Sequence, residues 1–324
     1  MEKLKGMTAK FMARTEAAVI IVNVVLFLIV AVVNPSAFLT SENLIDVLRN
    51  TSYAFIVAAP LTLLHMSAGS DMTIGSVTSF GGLFCAFLIT SLNCPWPLAI
   101  LLACVASAAF GAMKSFFTVT VGLGDYICTL GLKYALDGAV LVWCKGNPIV
   151  GFPDSFKVLG QSGIGGIYWS IIFALIFGIV FHILLTKTKF GRSACAVGGN
   201  TETARLAGIN VKKIRYAANI LVSIAAGFAG CIYAARYNSA QATVGTGNEM
   251  TIMASCIIGG ASLGGGSGSM FGTFLGCFML ALVRNGLVLI HVSSYWQNLV
   301  FGLVLVLSLY IDLVRRNKSA GGLH

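Results

Sequence analysis

Charge is what this sequence has least of. Lys, Arg, Asp and Glu make up 10% of its 324 residues, against roughly 25% in a typical soluble domain. So little charge cannot cover a water-soluble protein of this length, and a soluble fold is excluded. Proline is scarce as well, at six residues, while apolar residues reach 57%. The long hydrophobic runs that result read as an integral membrane protein. The nine cysteines (Cys85, Cys94, Cys104, Cys128, Cys144, Cys195, Cys231, Cys256 and Cys277) include no C-x-x-C pair. Most fall within apolar runs, where free cysteine behaves as a small buried hydrophobe. Cys94 and Cys144 lie near the same predicted membrane face and form the one candidate pair.

Catalytic signatures are missing too. The glycine-rich run at 264–273, GGGSGSMFGT, lacks the Lys-Ser/Thr that completes a phosphate loop. There is no G-x-G-x-x-G and no H-E-x-x-H, and the four histidines (His65, His182, His291 and His324) are scattered. We therefore expect no catalytic, cofactor or metal site, and any use of ATP must come through a partner.

What is present is a series of apolar runs. A membrane span needs about 20 mostly apolar residues. The candidates are 17–33, 54–68, 72–92, 97–113, 126–142, 167–185, 216–235, 250–263, 270–283 and 295–311. The first is longer than the apolar core of a signal peptide and no clean cleavage site follows it, so it reads as a span. The expectation is a single all-α, polytopic membrane domain over 1–324 with about ten helices, some of them broken. Segment 38–50 reads as a separate amphipathic interfacial helix with Ser41 as its cap, and 143–166 as an irregular loop.

The formal net charge is +10, but the basic residues sit in short segments between apolar runs rather than on one nucleic-acid-binding face. Two-thirds of them occupy three places: Lys3, Lys5, Lys10 and Arg14; the island at 187–215; and Arg315, Arg316 and Lys318. Ten crossings put all three on one side, the cytoplasm by the positive-inside bias, and all four tryptophans at outer span ends.

Several polar features interrupt the apolar chain. GSDMTIGS at 69–76 lines up with GASLGGGS at 260–267, and paired glycine-interrupted segments point to two internal repeats. Gly260, Gly264, Gly268, Gly272 and Gly276 recur every four residues; Gly268, Gly272 and Gly276 are read as a helix-packing face after a turn. Ser70, Asp71, Thr73 and Asn248 are the candidate residues of a translocation path. Asp71 has a second reading, as an anchor accepting backbone N–H bonds at a helix start. Lys133 and Asp137, four apart, are expected to pair on one helix face. Arg236 and Glu249 bracket a polar outer segment. Within the island, Asn200 is a natural N-cap, Glu202 and Arg205 suit the two ends of a short helix over 201–207, and Gly208 stops it.

Taken together, the residues at 191–215, 239–250, 259–273, 285–297, 38–52 and 69–76 resemble those of membrane permease subunits of carbohydrate ABC importers, the ribose/xylose/arabinose/galactoside group. The resemblance spans about residues 36–312. It implies two permease subunits, identical or related, in the lipid bilayer of the bacterial inner membrane. They would work with cytoplasmic ATP-binding subunits and an extracytoplasmic solute-binding protein, by alternating access. It also implies that 198–209 contacts the ATPase, through Gly198, Gly199, Asn200, Thr201, Glu202, Ala204, Arg205, Gly208 and Ile209. Two departures stand out. Asp137-Gly138 occurs where the family usually has Arg-Gly, and Ser267-Gly268-Ser269 where a basic residue is common. A permease for a nucleoside or another small polar solute stays open. So does an ion-coupled secondary transporter working through Asp71 or Lys133 and Asp137.

This topology predicts that single cysteines at Thr201 and Asn248, in a background without the native thiols, react with an impermeant reagent from opposite faces of the membrane. Labelling of both from the same face contradicts ten crossings.

Overall fold

A computed structural model describes residues 15–293, together with Trp296, Leu299, Gly302, Leu303, Val306 and Tyr310. The predicted span at 295–311 lies largely outside these residues. The basic groups of both chain ends, Lys3, Lys5, Lys10, Arg14, Arg315, Arg316 and Lys318, lie outside them too.

Thirteen α-helices follow one another in the described residues: α1 (Thr15–Val33), α2 (Pro35–Phe38), α3 (Ser41–Met66), α4 (Ile74–Thr90), α5 (Trp96–Ser115), α6 (Asp125–Cys144), α7 (Asp154–Gln161), α8 (Trp169–Lys187), α9 (Lys189–Gly199), α10 (Thr201–Leu206), α11 (Val211–Tyr237), α12 (Asn248–Ile258) and α13 (Met270–Leu289). A wider π-helical turn, Phe116–Val121, extends α5. Seven of the helices are long and apolar enough to cross a bilayer, and α4 is a shorter apolar helix. The fold is the all-α, polytopic one expected. Four two-residue strands form two short antiparallel pairs, β1 (Ile149–Val150) with β4 (Ser239–Ala240) and β2 (Gly163–Ile164) with β3 (Ile167–Tyr168).

Several boundaries differ from the sequence reading. Segment 38–50 is not a separate interfacial helix. Thr40, not Ser41, caps α3, its hydroxyl accepting from the Asn43 amide at 3.3 Å. The helix continues unbroken through Pro60 to Met66, so the amphipathic turns run straight into the span. Segment 143–166 is more ordered than a loop, with α7 and two strands, β1 and β2. The candidate span 250–263 ends at Ile258. At 11 residues and 1.5 Å per residue, α12 reaches only about 16 Å and cannot cross a bilayer alone.

The packing follows the small residues. Lipid supplies no hydrophobic drive between helices, so close backbone approach decides the association. α3 and α11 are the buried centre, and α1, α5, α6 and α8 each leave one face free. α11 crosses α4 where a Cβ on Gly81 would lie 2.5 Å from the Gly227 Cα, and one on Gly82 would lie 2.8 Å from the Gly230 carbonyl. Gly272 and Gly276 of α13 sit against the Gly259 and Ser255 carbonyls at the end of α12. Gly268 precedes the helix and packs on Met66 instead. All nine cysteines are free, Cys94 and Cys144 included. Trp96, Trp143 and Trp169 mark helix ends remote from α9 and α10.

Gly81→Val therefore should destabilise the protein by about 1–3 kcal/mol through overpacking, read as a fall in the unfolding temperature in detergent. Gly131→Val, where a Cβ meets nothing within 4 Å, should have little effect. Equal behaviour of the two variants would remove the glycine crossing as a stability determinant.

Candidate functional site

The basic island forms two helices and the start of a third. Thr188 caps α9, its hydroxyl accepting from the Gly191 amide at 3.3 Å. Asn200 ends α9 and caps α10, its side-chain oxygen accepting from the Thr203 amide at 2.9 Å. On the exposed side of α10, Arg205 meets Glu202 at 2.6 Å. Gly208 takes φ +81°, and the Ile209 amide reaches back to the Ala204 carbonyl at 3.0 Å, closing the helix. Ala204 faces inward, and Leu206 stands 79% exposed beside Arg205.

The inner side of α9 touches both places where a membrane helix stops short. A Cβ on Gly198 would collide with the Met66 carbonyl and lie within 2.8 Å of the Gly265 Cα. The Gly266 amide donates to that same Met66 carbonyl at 2.9 Å, and the Cys195 thiol donates to the Gly266 carbonyl at 2.9 Å. One helix turn of the island thus meets the end of α3 and the loop between α12 and α13.

These two stops share one hydrogen-bond pattern. After α3, Ala68 has φ +57°; its amide bonds the His65 carbonyl at 2.8 Å, and the Gly69 amide bonds the Leu64 carbonyl at 3.0 Å. After α12, Gly260 has φ +95°; its amide bonds the Ile257 carbonyl at 2.9 Å, and the Ala261 amide bonds the Cys256 carbonyl at 2.9 Å. This is the left-handed helix stop, whose marker residue is the one with positive φ. The junctions therefore correspond as Ala68 to Gly260, one residue away from the register that matches glycine to glycine. The alignment slipped because the first junction carries an alanine at its left-handed position.

The α3–α4 junction is held by side chains from three other helices. Asp71 is 1% exposed; one carboxylate oxygen accepts from the Thr73 amide at 2.8 Å and the Thr73 hydroxyl at 2.6 Å. The other oxygen pairs with Lys114 of α5, which also donates to the Ser223 hydroxyl of α11 at 3.0 Å. Asp125 accepts from the Ser70 amide at 3.4 Å and from Arg215 at 3.0 Å. Arg215 also donates to the Ala68 carbonyl at 2.5 Å, and the Thr129 hydroxyl accepts from the Met72 amide at 3.1 Å. Reading by apolar runs missed Lys114, because the fourth span was taken to end at Met113. A lone lysine between apolar residues, with a lone aspartate elsewhere in the membrane, was the available signal.

Two cavities flank α12. The larger, about 540 Å³, lies between α3, α11, α12 and α13. Asn248, Thr251, Ile252 and Ser255 of α12 line it, with Tyr53, Tyr233, Arg236 and Arg284 among the opposing residues. Tyr53 stacks on Tyr233 at 4.5 Å between ring centroids, and Tyr233 on Tyr237 at 6.0 Å. The smaller cavity, about 290 Å³, takes Met250, Met253 and Ile257 from another face of α12, with Ser70 and Asp125 across from them. α12 is thus a short wall between two spaces, anchored at its start by Glu249, which pairs with Lys133 of α6 at 2.5 Å. Lys133 is committed across helices to Glu249 rather than to Asp137 alone; the sequence reading had placed Glu249 in an outer loop. The structure brings Asn248 to the large cavity and Ser70 to the small one. Asp71 and Thr73 line neither.

A family described as a branched-chain amino acid transport system permease component matches residues 43–309. The chain is 35% identical over 292 residues to the ribose import permease protein RbsC of Escherichia coli (strain K12), covering 89% of this chain and 90% of the relative. It is 32% identical over 298 residues to RbsC of Bacillus subtilis (strain 168), covering 91% of each. It is 30% identical over 291 residues to the D-allose transport system permease protein AlsC of Escherichia coli (strain K12), covering 89% of each. No solved structure matches the chain. The chain belongs to this permease family. As a permease it is a multi-pass membrane protein, and its relatives are transport subunits rather than enzymes. The family description speaks of amino acids and these relatives of sugars, so membership alone leaves the solute to the cavity.

Breaking the buried Asp71–Lys114 pair should be costly, about 3–5 kcal/mol, because one charge is left alone in low dielectric. Lys114→Met and Asp71→Asn each should lower the unfolding temperature of the purified permease, and the double replacement should recover much of the loss. Additive losses in the double variant would show that the pair is not the stabilising unit.

Proposed function

We propose that this permease is the membrane subunit of an ATP-driven importer for a sugar, with the large cavity as the entrance of its translocation path. The contact of Gly198 with both helix stops carries the mechanical part of this reading. A partner ATPase grips the exposed side of α9 and α10, with Leu206 as an apolar knob and Glu202, Arg205 and Thr201 around it. A helix face presented to a groove is a recurrent docking mode. Movement of α9 then displaces the end of α3 and the α12–α13 loop together. The two cavities on different faces of α12 open in turn, which is alternating access.

The sugar assignment draws on the relatives named for ribose and allose and on the lining of the cavity. Tyr233 and Tyr237 offer flat aromatic faces, and Asn50, Gln241, Asn248 and Asn285 offer paired donors and acceptors. Apolar surface with a few placed polar groups is the usual composition of a small-molecule site. The working assembly contains a second permease subunit, two cytoplasmic ATP-binding subunits and an extracytoplasmic solute-binding protein. It resides in the bacterial inner membrane with both termini in the cytoplasm. The permease itself hydrolyses nothing.

The test is assembly and dependence. The tagged permease, purified in mild detergent from cells expressing its ATPase, should bring that subunit along. Leu206→Asp and Gly208→Val should reduce its recovery at least tenfold while the permease stays monodisperse. Solute uptake by permease alone, without any ATPase, would sink the importer reading in favour of an ion-coupled carrier.

A further inference from the structure

We infer that the solute entering the large cavity is anionic: a sugar bearing one carboxylate. This rests on the large cavity being the entrance, and it concerns the charge balance there. Among the described residues, Asp46 is the one acidic side chain that lines it. Its carboxylate is already shared, 3.3 Å from Arg49 and 3.3 Å from Arg236. Arg236 also donates to Asn50 at 2.9 Å. Arg284, on the opposite wall, has neither an acidic partner nor a hydrogen bond among the described residues. The acids outside those residues are Glu2 and Asp312. Two guanidinium groups, Arg236 and Arg284, thus line the cavity against one carboxylate that Arg49 also shares, and the excess is positive.

The position of Arg284 makes this more than a charged rim. Both Val288 and Cys277 of α13 line the cavity. Eleven residues at 1.5 Å each give it a depth of about 16 Å along that helix. Arg284 lies one turn below Val288, inside this depth. Arg284 is exposed, so its charge is open to a solute, and sugar hydroxyls do not neutralise it. A carboxylate does, because it matches the guanidinium fork with two charge-assisted hydrogen bonds. Tyr233, half-buried and stacked on the buried Tyr53, supplies a surface for the C–H face of the sugar ring. A phosphate would also meet an arginine, but its nearly double charge suits a fuller ring of cations than the one unpaired guanidinium among the described residues that line the cavity.

The experiment uses the complete importer in intact cells, with permease, ATPase and binding protein expressed together. Uptake is compared for D-galactose, D-galacturonate and D-galactose 6-phosphate, and for D-ribose, D-ribonate and D-ribose 5-phosphate. In one of the two sets the carboxylate should enter at least tenfold faster than its neutral and phosphorylated counterparts. Arg284→Gln should cut that uptake about tenfold, and Arg284→Lys, which keeps the charge, should retain most of it. Faster uptake of a neutral sugar, with the ratio unchanged by Arg284→Gln, overturns the inference and leaves the sugar-importer reading standing. Preference for a phosphate overturns the carboxylate assignment. Failure to take up any of the six compounds overturns the sugar reading, and this inference with it.

Discussion

Backbone amides and carbonyls released by a broken helix cannot be left bare at membrane depth, and this protein breaks two helices there. Most of its polar chemistry answers that constraint. At the α3–α4 junction, Ser70, Met72 and Thr73 donate their amides to Asp125, Thr129 and Asp71, and Ala68 gives its carbonyl to Arg215. At the α12–α13 junction the left-handed stop after Ile258 and the bond from Gly266 to the Met66 carbonyl do comparable work. The charges recruited are then neutralised pairwise by Lys114 and Arg215. What reads as scattered polarity in an apolar chain is largely a set of partners for two interrupted backbones.

The same constraint connects the site to the surface. Because the Met66 carbonyl receives the Gly266 amide, the ends of α3 and of the α12–α13 loop are tied together before α9 arrives. Gly198 is the point where α9 can approach that tie, since any side chain there would strike the carbonyl. Arg215, one turn into α11, reaches from the island to the α3–α4 junction. The exposed island is thereby mechanically continuous with the helices that bound the two cavities. In a close-packed interior such contacts transmit displacement rather than absorb it.

Much of the organisation was legible in the chain. Low charge and long apolar runs gave the membrane class, and Asn200, Glu202, Arg205 and Gly208 marked a capped short helix that the structure contains. The glycines at 272 and 276 announced a close approach. Other features were not legible. Amphipathic turns at 41–50 looked separable from the span because hydropathy averages out along a helix that begins in a polar setting. Lys133 lies one turn from Asp137, so a local pair was the economical expectation. Its partner Glu249 is more than a hundred residues away, and periodicity carries no information about such a contact.

The sequence by itself determined the class of fold, the rough position of most of the long helices, and the character of the island as a basic segment with a capped short helix. These follow from composition, local hydrogen-bond chemistry and three- or four-residue spacing, all of which act within a few turns of chain. Only the tertiary structure decided which charges pair, which glycines touch, and that α12 divides two cavities. Those depend on helices far apart in sequence meeting at particular depths, where burial makes each unpaired charge too costly to keep and so selects its partner.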